Sequence, residues 1–346
     1  MFGKKNKPFF IAEISSNHNG KIQNALQLIH EAKLYGANAV KLQTYKPSTM
    51  TIKSNKKFFK VNKGLWKGYD LWSLYKKAHT PYHWHSKLFK FAKKIGITVF
   101  STPFDEGAVE FLEKLNCPFY KVASFEMTDI PLIKKIASTN KPIIISVGMA
   151  SINEIKLTYN TAKKYGASDI TLLYCVSNYP SKISDFNLNN IKVLKDVFKC
   201  RIGLSDHSLD HKVAAAAIAA GAEVIEKHIG FENQRKGLDI KFSLKGKEIK
   251  EFRNVINDTY KLLGVKKFYR NKSKIKSKLF RRSVFAVKDI KKGESFNKEN
   301  IRRIRPGHGV SPIYYEKLIN KKSPINIKAE EPIKLNILKK LKLINK

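Results

Sequence analysis

The chain has 346 residues, room for one large domain and a smaller one, and its 42% hydrophobic and 11% aromatic content excludes a disordered protein. Its 67 lysines and arginines face 28 aspartates and glutamates, a formal net charge of +39. The lysines are spread through every segment, with no basic arm, zinc-finger or RNA-binding pattern. The charge therefore reads as a bias of composition that favours capture of anionic substrates, ahead of a nucleic-acid-binding function.

No apolar run reaches the roughly 18 residues of a membrane-spanning helix, and residues 1–8 lack the apolar stretch of a secretory signal. Cys117, Cys175 and Cys200 are scattered and odd in number, which fits a reducing cytoplasm and no metal or redox motif.

From residue 9 to about 265, strand-length apolar runs alternate with helical stretches. A first predicted strand, 9–14, leads into Glu13-Ile-Ser-Ser-Asn17-His18-Asn19-Gly20 and a helix at 22–35. The second, 39–43, carries Lys41 and Gln43. A long insertion, 46–85, follows with Gly64-Leu-Trp66, Leu71-Trp72-Ser-Leu-Tyr75 and Thr80-Pro-Tyr82-His-Trp84-His85. Its aromatics either cover a ligand or pack the insertion on itself. After a helix at 83–95, a strand at 98–100 ends in Ser101-Thr-Pro-Phe-Asp105, with a helix at 107–115. Strand 119–122 holds Lys121 and leads to Ser124 and Glu126, followed by a helix at 130–138. Strand 143–146 ends at Ser146 before a helix at 152–164, and strand 171–175 precedes Ser177-Asn178-Tyr179. Strand 202–204 runs into Ser205-Asp206-His207; an alanine-rich helix broken by Gly221 then leads to strand 224–226 and His228.

Eight such repeats over roughly 250 residues match a (β/α)₈ TIM barrel. An open doubly wound sheet is the alternative, but no Gly-x-Gly-x-x-Gly follows the first strand. In a barrel the chemistry lies at the C-terminal strand ends. There, His207 and His228 arrive side by side from consecutive parallel strands. Two imidazoles can hold a divalent metal and leave positions open, or each can simply hydrogen-bond a loop. Lys41 and Lys121, with several serines and glycine turns, describe a pocket for a phosphorylated, carboxylated anion. Beyond the barrel, 266–278 is a charged tether, and 279–346, with short strands, a Lys291-Lys-Gly293-Glu turn and Arg305-Pro-Gly, reads as a small β-rich domain.

Ala12-Glu13…Asn17-His18, Lys41-Leu-Gln-Thr, Ser101-Thr-Pro-Phe, Tyr120-Lys-Val-Ala-Ser124-Phe-Glu126, Gly203-Leu-Ser-Asp-His207, Glu226-Lys-His228 and Ile304-Arg305-Pro-Gly together resemble the bacterial sialic acid synthase family. The likeness runs from residue 8 to about 340 and includes a C-terminal antifreeze-like (SAF, β-clip) domain. Leu71-Trp-Ser-Leu-Tyr75, Thr80 to His85 and Lys241-Phe-Ser-Leu are similar to the pseudaminic acid synthase branch.

The resemblance implies a barrel at 1–265, a linker at 266–278 and the SAF domain at 279–346. It implies condensation of phosphoenolpyruvate with an open-chain amino sugar, here 2,4-diacetamido-2,4,6-trideoxy-altrose, giving pseudaminic acid and phosphate; N-acetylneuraminate and legionaminic acid synthases share this chemistry. Glu13 and Glu126 are then the catalytic carboxylates. Lys41 meets the phosphoenolpyruvate carboxylate, and Lys121, Ser124, Ser146 and Ser205 hold its phosphate. Gln43, Tyr179, Asp239 and Arg305 face the sugar, and His207 and His228 hold a divalent ion, usually manganese, with magnesium or cobalt as alternatives. Arg305 would reach the barrel of a partner in a domain-swapped homodimer, in the cytoplasm. Ser177 departs from the asparagine common in neuraminate synthases and points away from that sugar.

Overall fold

The structure, a computed structural model, describes residues 8–265, 267–268 and 276–344. Of the expected tether, 266 and 269–275 lie outside the described residues. The chain divides into two units, Met1–Gly264 and Val265–Lys346.

The first unit opens with β1 (Phe9–Glu13), α1 (Ile22–Leu34) and β2 (Ala39–Thr44). The insertion contributes α2 (Pro47–Met50) and α3 (Leu71–Ala78), and α4 (Tyr82–Ile95) leads back to the repeat. Then come β3 (Thr98–Pro103), α5 (Glu106–Lys114), β4 (Tyr120–Val122), α6 (Ile130–Ala137), β5 (Ile143–Ser146) and α7 (Ile152–Lys164). The unit closes with β6 (Ile170–Cys175), α8 (Asn189–Phe198), β7 (Arg201–Asp206), α9 (His211–Ala220), β8 (Val224–Gly230), β9 (Leu244–Lys245) and α10 (Lys247–Leu263). Strands β1 to β8 pair in parallel in chain order, and β8 pairs with β1, so the sheet shuts into the expected barrel.

Both faces of a closed parallel sheet are covered, which is why these strands are buried along nearly their whole length. The helices turn one stripe inward: α1 buries Ala25, Leu28, Ile29 and Ala32, the spacing of one helical face. Side-chain caps fix several helix starts just past the strand ends that carry the site. Asp105 accepts from Ala108 N at 2.7 Å, Asp129 from Leu132 N at 3.1 Å, and Asp210 from Lys212 N at 2.8 Å. Strand β8 runs past the predicted 224–226 because Ile229 and Gly230 pair with β9.

The second unit has its own core, with Val284, Phe296, Ile301, Leu318 and Leu338 among its buried residues. In it β10 (Ser283–Ala286) pairs antiparallel with β11 (Ile301–Ile304), and bridges join Ile290 to Ile327 and Ser295 to Lys322. Two short helices, α11 (Tyr315–Leu318) and α12 (Leu335–Lys340), complete it. Among the described residues no helix is long and apolar enough to cross a membrane.

Candidate active site

Register places the first cluster. Glu13, the last residue of β1, lies opposite Lys41 on β2 and His228 on β8, while Ser205 on β7 lies opposite Glu226 on β8. Lys41 Nζ is ion-paired to Glu13, lies 3.8 Å from Glu226 Oε1 and donates to Thr102 Oγ1 at 3.3 Å. Lys121 Nζ lies 3.8 Å from the same Glu226 oxygen and donates to Ser146 Oγ at 2.7 Å. Ser205 Oγ donates to that oxygen at 3.0 Å. All of these side chains are buried.

Burying so many charges is tolerated only because they are paired. Burial pushes Glu13 up to about 7 against the pull of Lys41. Burial would also lower Lys41, but Glu13 and Glu226 outweigh it and hold the ammonium above its ordinary range. Burial draws Lys121 down, with Glu226 opposing. Glu226, despite its burial, is held below the usual carboxylate range by Lys121 and Lys41.

Glu226 is the central member of this cluster, and the sequence reading gave it no role. The signal was there: in a strand, residues two apart share a face, so Glu226 travels with His228. Its Oε2 is buried without a hydrogen-bond partner.

Two further serines lie together. Ser124 Oγ and Ser177 Oγ are 3.1 Å apart, so the departure noted at 177 hydrogen-bonds within the same group. Gly148 permits this approach: its φ is +34°, and a Cβ there would run into the Ser124 side chain.

Gln43, Glu126, Tyr179, His228 and Asp239 line one cavity of about 350 Å³. Gln43 Nε2 stands 3.4 Å from both Glu13 Oε1 and Ser15 Oγ. Asp239 accepts from Ser15 and Ser16, and burial raises it above the usual range against those two donors. The Tyr179 ring lies between Trp66, at 5.4 Å, and His207, at 4.5 Å. Glu126, mostly buried, is pushed by burial up to about 7, and its Oε2 has no hydrogen-bond partner.

His207 and His228 do come together, their ring centroids 5.4 Å apart. His207 Nδ1 donates to the Val176 carbonyl at 3.1 Å, which leaves Nε2 as the lone pair. Burial lowers His207 to about 4 and, with His207 beside it, takes His228 well below its ordinary value, so both rings are neutral at neutral pH. His228 Nδ1 is buried without a partner. Among the described residues no group of three or more His, Cys, Asp or Glu is arranged around a metal position. Two neutral imidazoles with an unpaired nitrogen fit a divalent ion that takes its remaining ligands from substrate and water.

A model of the NeuB family matches residues 28–268. This chain belongs to the NeuB family. A SAF domain model matches residues 281–338. The pseudaminic acid synthase of Campylobacter jejuni is 40% identical over 96% of this chain and 97% of that protein. The N,N'-diacetyllegionaminic acid synthase of the same organism is 37% identical over 95% and 99%. The crystal structure of N-acetylneuraminic acid synthetase from Leptospira borgpetersenii, in complex with citrate, is 31% identical, with a TM-score of 0.70 over 79% of this chain and 90% of that one.

In this NeuB chain the remaining motif histidines support the insertion. His85 Nε2 is 2.8 Å from Thr44 Oγ1, which is 2.6 Å from Ser101 Oγ. His18 meets Thr80 at 3.4 Å and the edge of Trp84 at 5.3 Å. Both imidazoles are lowered by burial to about 4 and act as neutral packing groups. Arg305 belongs to the second unit, where it follows β11 and is exposed.

Proposed function

We propose that this protein is a pseudaminic acid synthase, joining phosphoenolpyruvate to 2,4-diacetamido-2,4,6-trideoxy-altrose and water to give pseudaminic acid and phosphate. The observation that carries the chemistry is the pairing of two buried ammonium groups, Lys41 and Lys121, about one carboxylate, each 3.8 Å from Glu226. They stand next to a cavity lined by Glu126, His228 and Asp239. The sugar rests on the 40% identity to the Campylobacter enzyme and on the Thr80 to His85 stretch.

Lys41 takes the phosphoenolpyruvate carboxylate; Lys121, Ser124, Ser146 and Ser205 take its phosphate, and Gln43, Tyr179 and Asp239 orient the sugar. His207 and His228 would hold a divalent ion, manganese first and magnesium or cobalt next, which when bound would supply Lewis-acid polarisation of the aldehyde. As C3 of phosphoenolpyruvate bonds to the aldehyde carbon, positive charge develops at C2. Glu13, committed to Lys41, stabilises that charge. Glu126, whose Oε2 has no partner, takes a proton from the water that adds to C2; a proton goes to the former aldehyde oxygen, and the C2 hydroxyl gives up its proton to become the ketone as the C2–O bond breaks and phosphate leaves.

We further assign Arg305 to the sugar's N-acyl group in the barrel of a partner, within a cytoplasmic homodimer. Mixing Arg305→Ala with Glu126→Gln protein tests this: activity returns in mixed dimers if the arginine acts across the dimer, and stays absent if it acts within its own chain.

The assay for the reaction is phosphate release from phosphoenolpyruvate by metal-stripped protein. No release is expected until manganese is restored together with the altrose sugar, and His207→Ala should lose manganese binding. Turnover only with N-acetylmannosamine, or only with the legionaminic acid precursor, would overturn the choice of sugar. Equal turnover after stripping would overturn the metal assignment.

A further inference from the structure

The cavity has two kinds of wall. The barrel side carries the charged and amide groups, Gln43, Glu126, His228 and Asp239, among apolar residues such as Phe104 and Phe242. The insertion side is mostly apolar, led by Val61, Trp66, Leu71 and Leu74. Leu71 and Leu74 are three residues apart on α3, so they share a helix face. Val61 is held by a closed turn: its N–H donates to Tyr69 O at 2.8 Å, and its carbonyl accepts from Gly68 N at 3.0 Å. Trp66 pins this turn over the barrel, donating Nε1 to the Leu238 carbonyl at 3.0 Å beside Asp239.

These contacts commit the Trp66 indole and the Val61 backbone, while Tyr75, farther along α3, brings its own hydroxyl to the cavity. The indole N–H is committed to Leu238, Tyr45 donates its hydroxyl to Tyr75 O at 3.4 Å, and Val61, Leu71 and Leu74 carry no polar side-chain atom. A hydroxyl pressed against Val61, Leu71 and Leu74 would lose water and gain no partner, whereas a methyl group would be buried favourably.

The two walls also set direction. On the reading above, the sugar's aldehyde carbon must sit beside the lysine pair and the histidines, at the charged side. The carbon farthest from the aldehyde, C6, then reaches toward the insertion. We propose that Val61, Leu71 and Leu74 form a specificity wall that receives the C6 methyl of a 6-deoxy amino sugar and disfavours a C6 hydroxyl. This inference rests on the proposed synthase activity. Apolar pockets reject an added hydroxyl by at most about 10²-fold, so the preference is bounded as well as directed.

The test compares kcat/KM for 2,4-diacetamido-2,4,6-trideoxy-altrose with that for its 6-hydroxy counterpart, in wild type, Leu74→Asn and the near-isosteric Val61→Thr. Wild type should favour the 6-deoxy sugar by about 10- to 10²-fold. Each variant should bring the ratio several-fold closer to one while the KM for phosphoenolpyruvate holds. Val61→Thr keeps the test decisive if Leu74→Asn fails to fold. A wild-type ratio near one, or variants that slow both sugars equally, would overturn the wall and leave the synthase standing. Absence of turnover with either sugar in wild type would overturn both.

Discussion

Glu226 places one negative charge between two ammonium groups that the proposed reaction assigns to an anionic substrate. Its removal has two opposing effects. Glu226→Gln leaves Lys41 and Lys121 buried with less countercharge, and breaking a buried pair costs about 3–5 kcal/mol. It also leaves the anion site more positive. The expected outcome is a lower melting temperature without ligand and a larger rise on adding inorganic phosphate than wild type shows, read by thermal unfolding. A smaller rise than wild type would mean that Glu226 does not compete with the anion. Glu126 sets a pH dependence. Burial raises it to about 7, opposed by Lys121 and Lys41 and helped by Asp129, with Tyr75 also near it. A carboxylate raised in the folded state contributes stability that is complete below its ordinary value of 4.5 and is lost as pH rises through about 7. Catalysis runs the other way, since only the ionised form can take a proton. We expect kcat/KM to fall as pH drops through about 7, where Glu13 also takes up a proton, and Glu126→Gln to make that limb shallower while removing most of the activity. Glu13, Lys41, Lys121 and the serines were readable as strand-end residues of a barrel. Glu226 was not assigned, because a strand-end reading looks past the residue two places before the histidine.

At the scale of elements, the strands carrying the two histidines are joined behind them by a second buried pair. Asp206 and Lys227 are register partners on β7 and β8. Lys227 donates to Asp206 at 3.0 Å and to the Ser208 carbonyl, and Asp206 also accepts from Ser208 N at 2.8 Å. Lys227 lies 5.9 Å over the Phe252 ring of α10, so the pair faces the helical layer. Lys227→Met strands a buried carboxylate and should cost about 3–5 kcal/mol in urea unfolding. Asp206→Asn together with Lys227→Met should recover part of that loss. A double variant no more stable than Lys227→Met alone would show that the pair is not coupled. The eight strands and six of the helices were readable because their apolar period agreed with burial. The insertion's helix α3 was missed although Asp70 caps it, accepting from Ser73 N at 2.9 Å, and Leu71, Leu74 and Ala78 follow helical spacing. Its aromatic residues drew attention to ligand cover, and local pattern alone does not decide between that and a core.

At the scale of the whole molecule, the net charge of +39 fits a protein that gathers anions, and the site it serves is one of paired buried charges within the barrel unit. The two-part organisation could be seen in the change of texture near residue 265. The part played by Arg305 could not, because a single chain does not specify which barrel an exposed arginine of the second unit serves. In the proposed reaction, water is delivered to C2 of phosphoenolpyruvate at the Glu13, Glu126 and lysine cluster. Turnover with phosphoenolpyruvate and the altrose sugar in ¹⁸O-water, followed by mass spectrometry of both products, tests it most directly. The expected result is phosphate that carries no label, with the label in the acid. Labelled phosphate would mean that water attacks phosphorus, and would contradict the assignment.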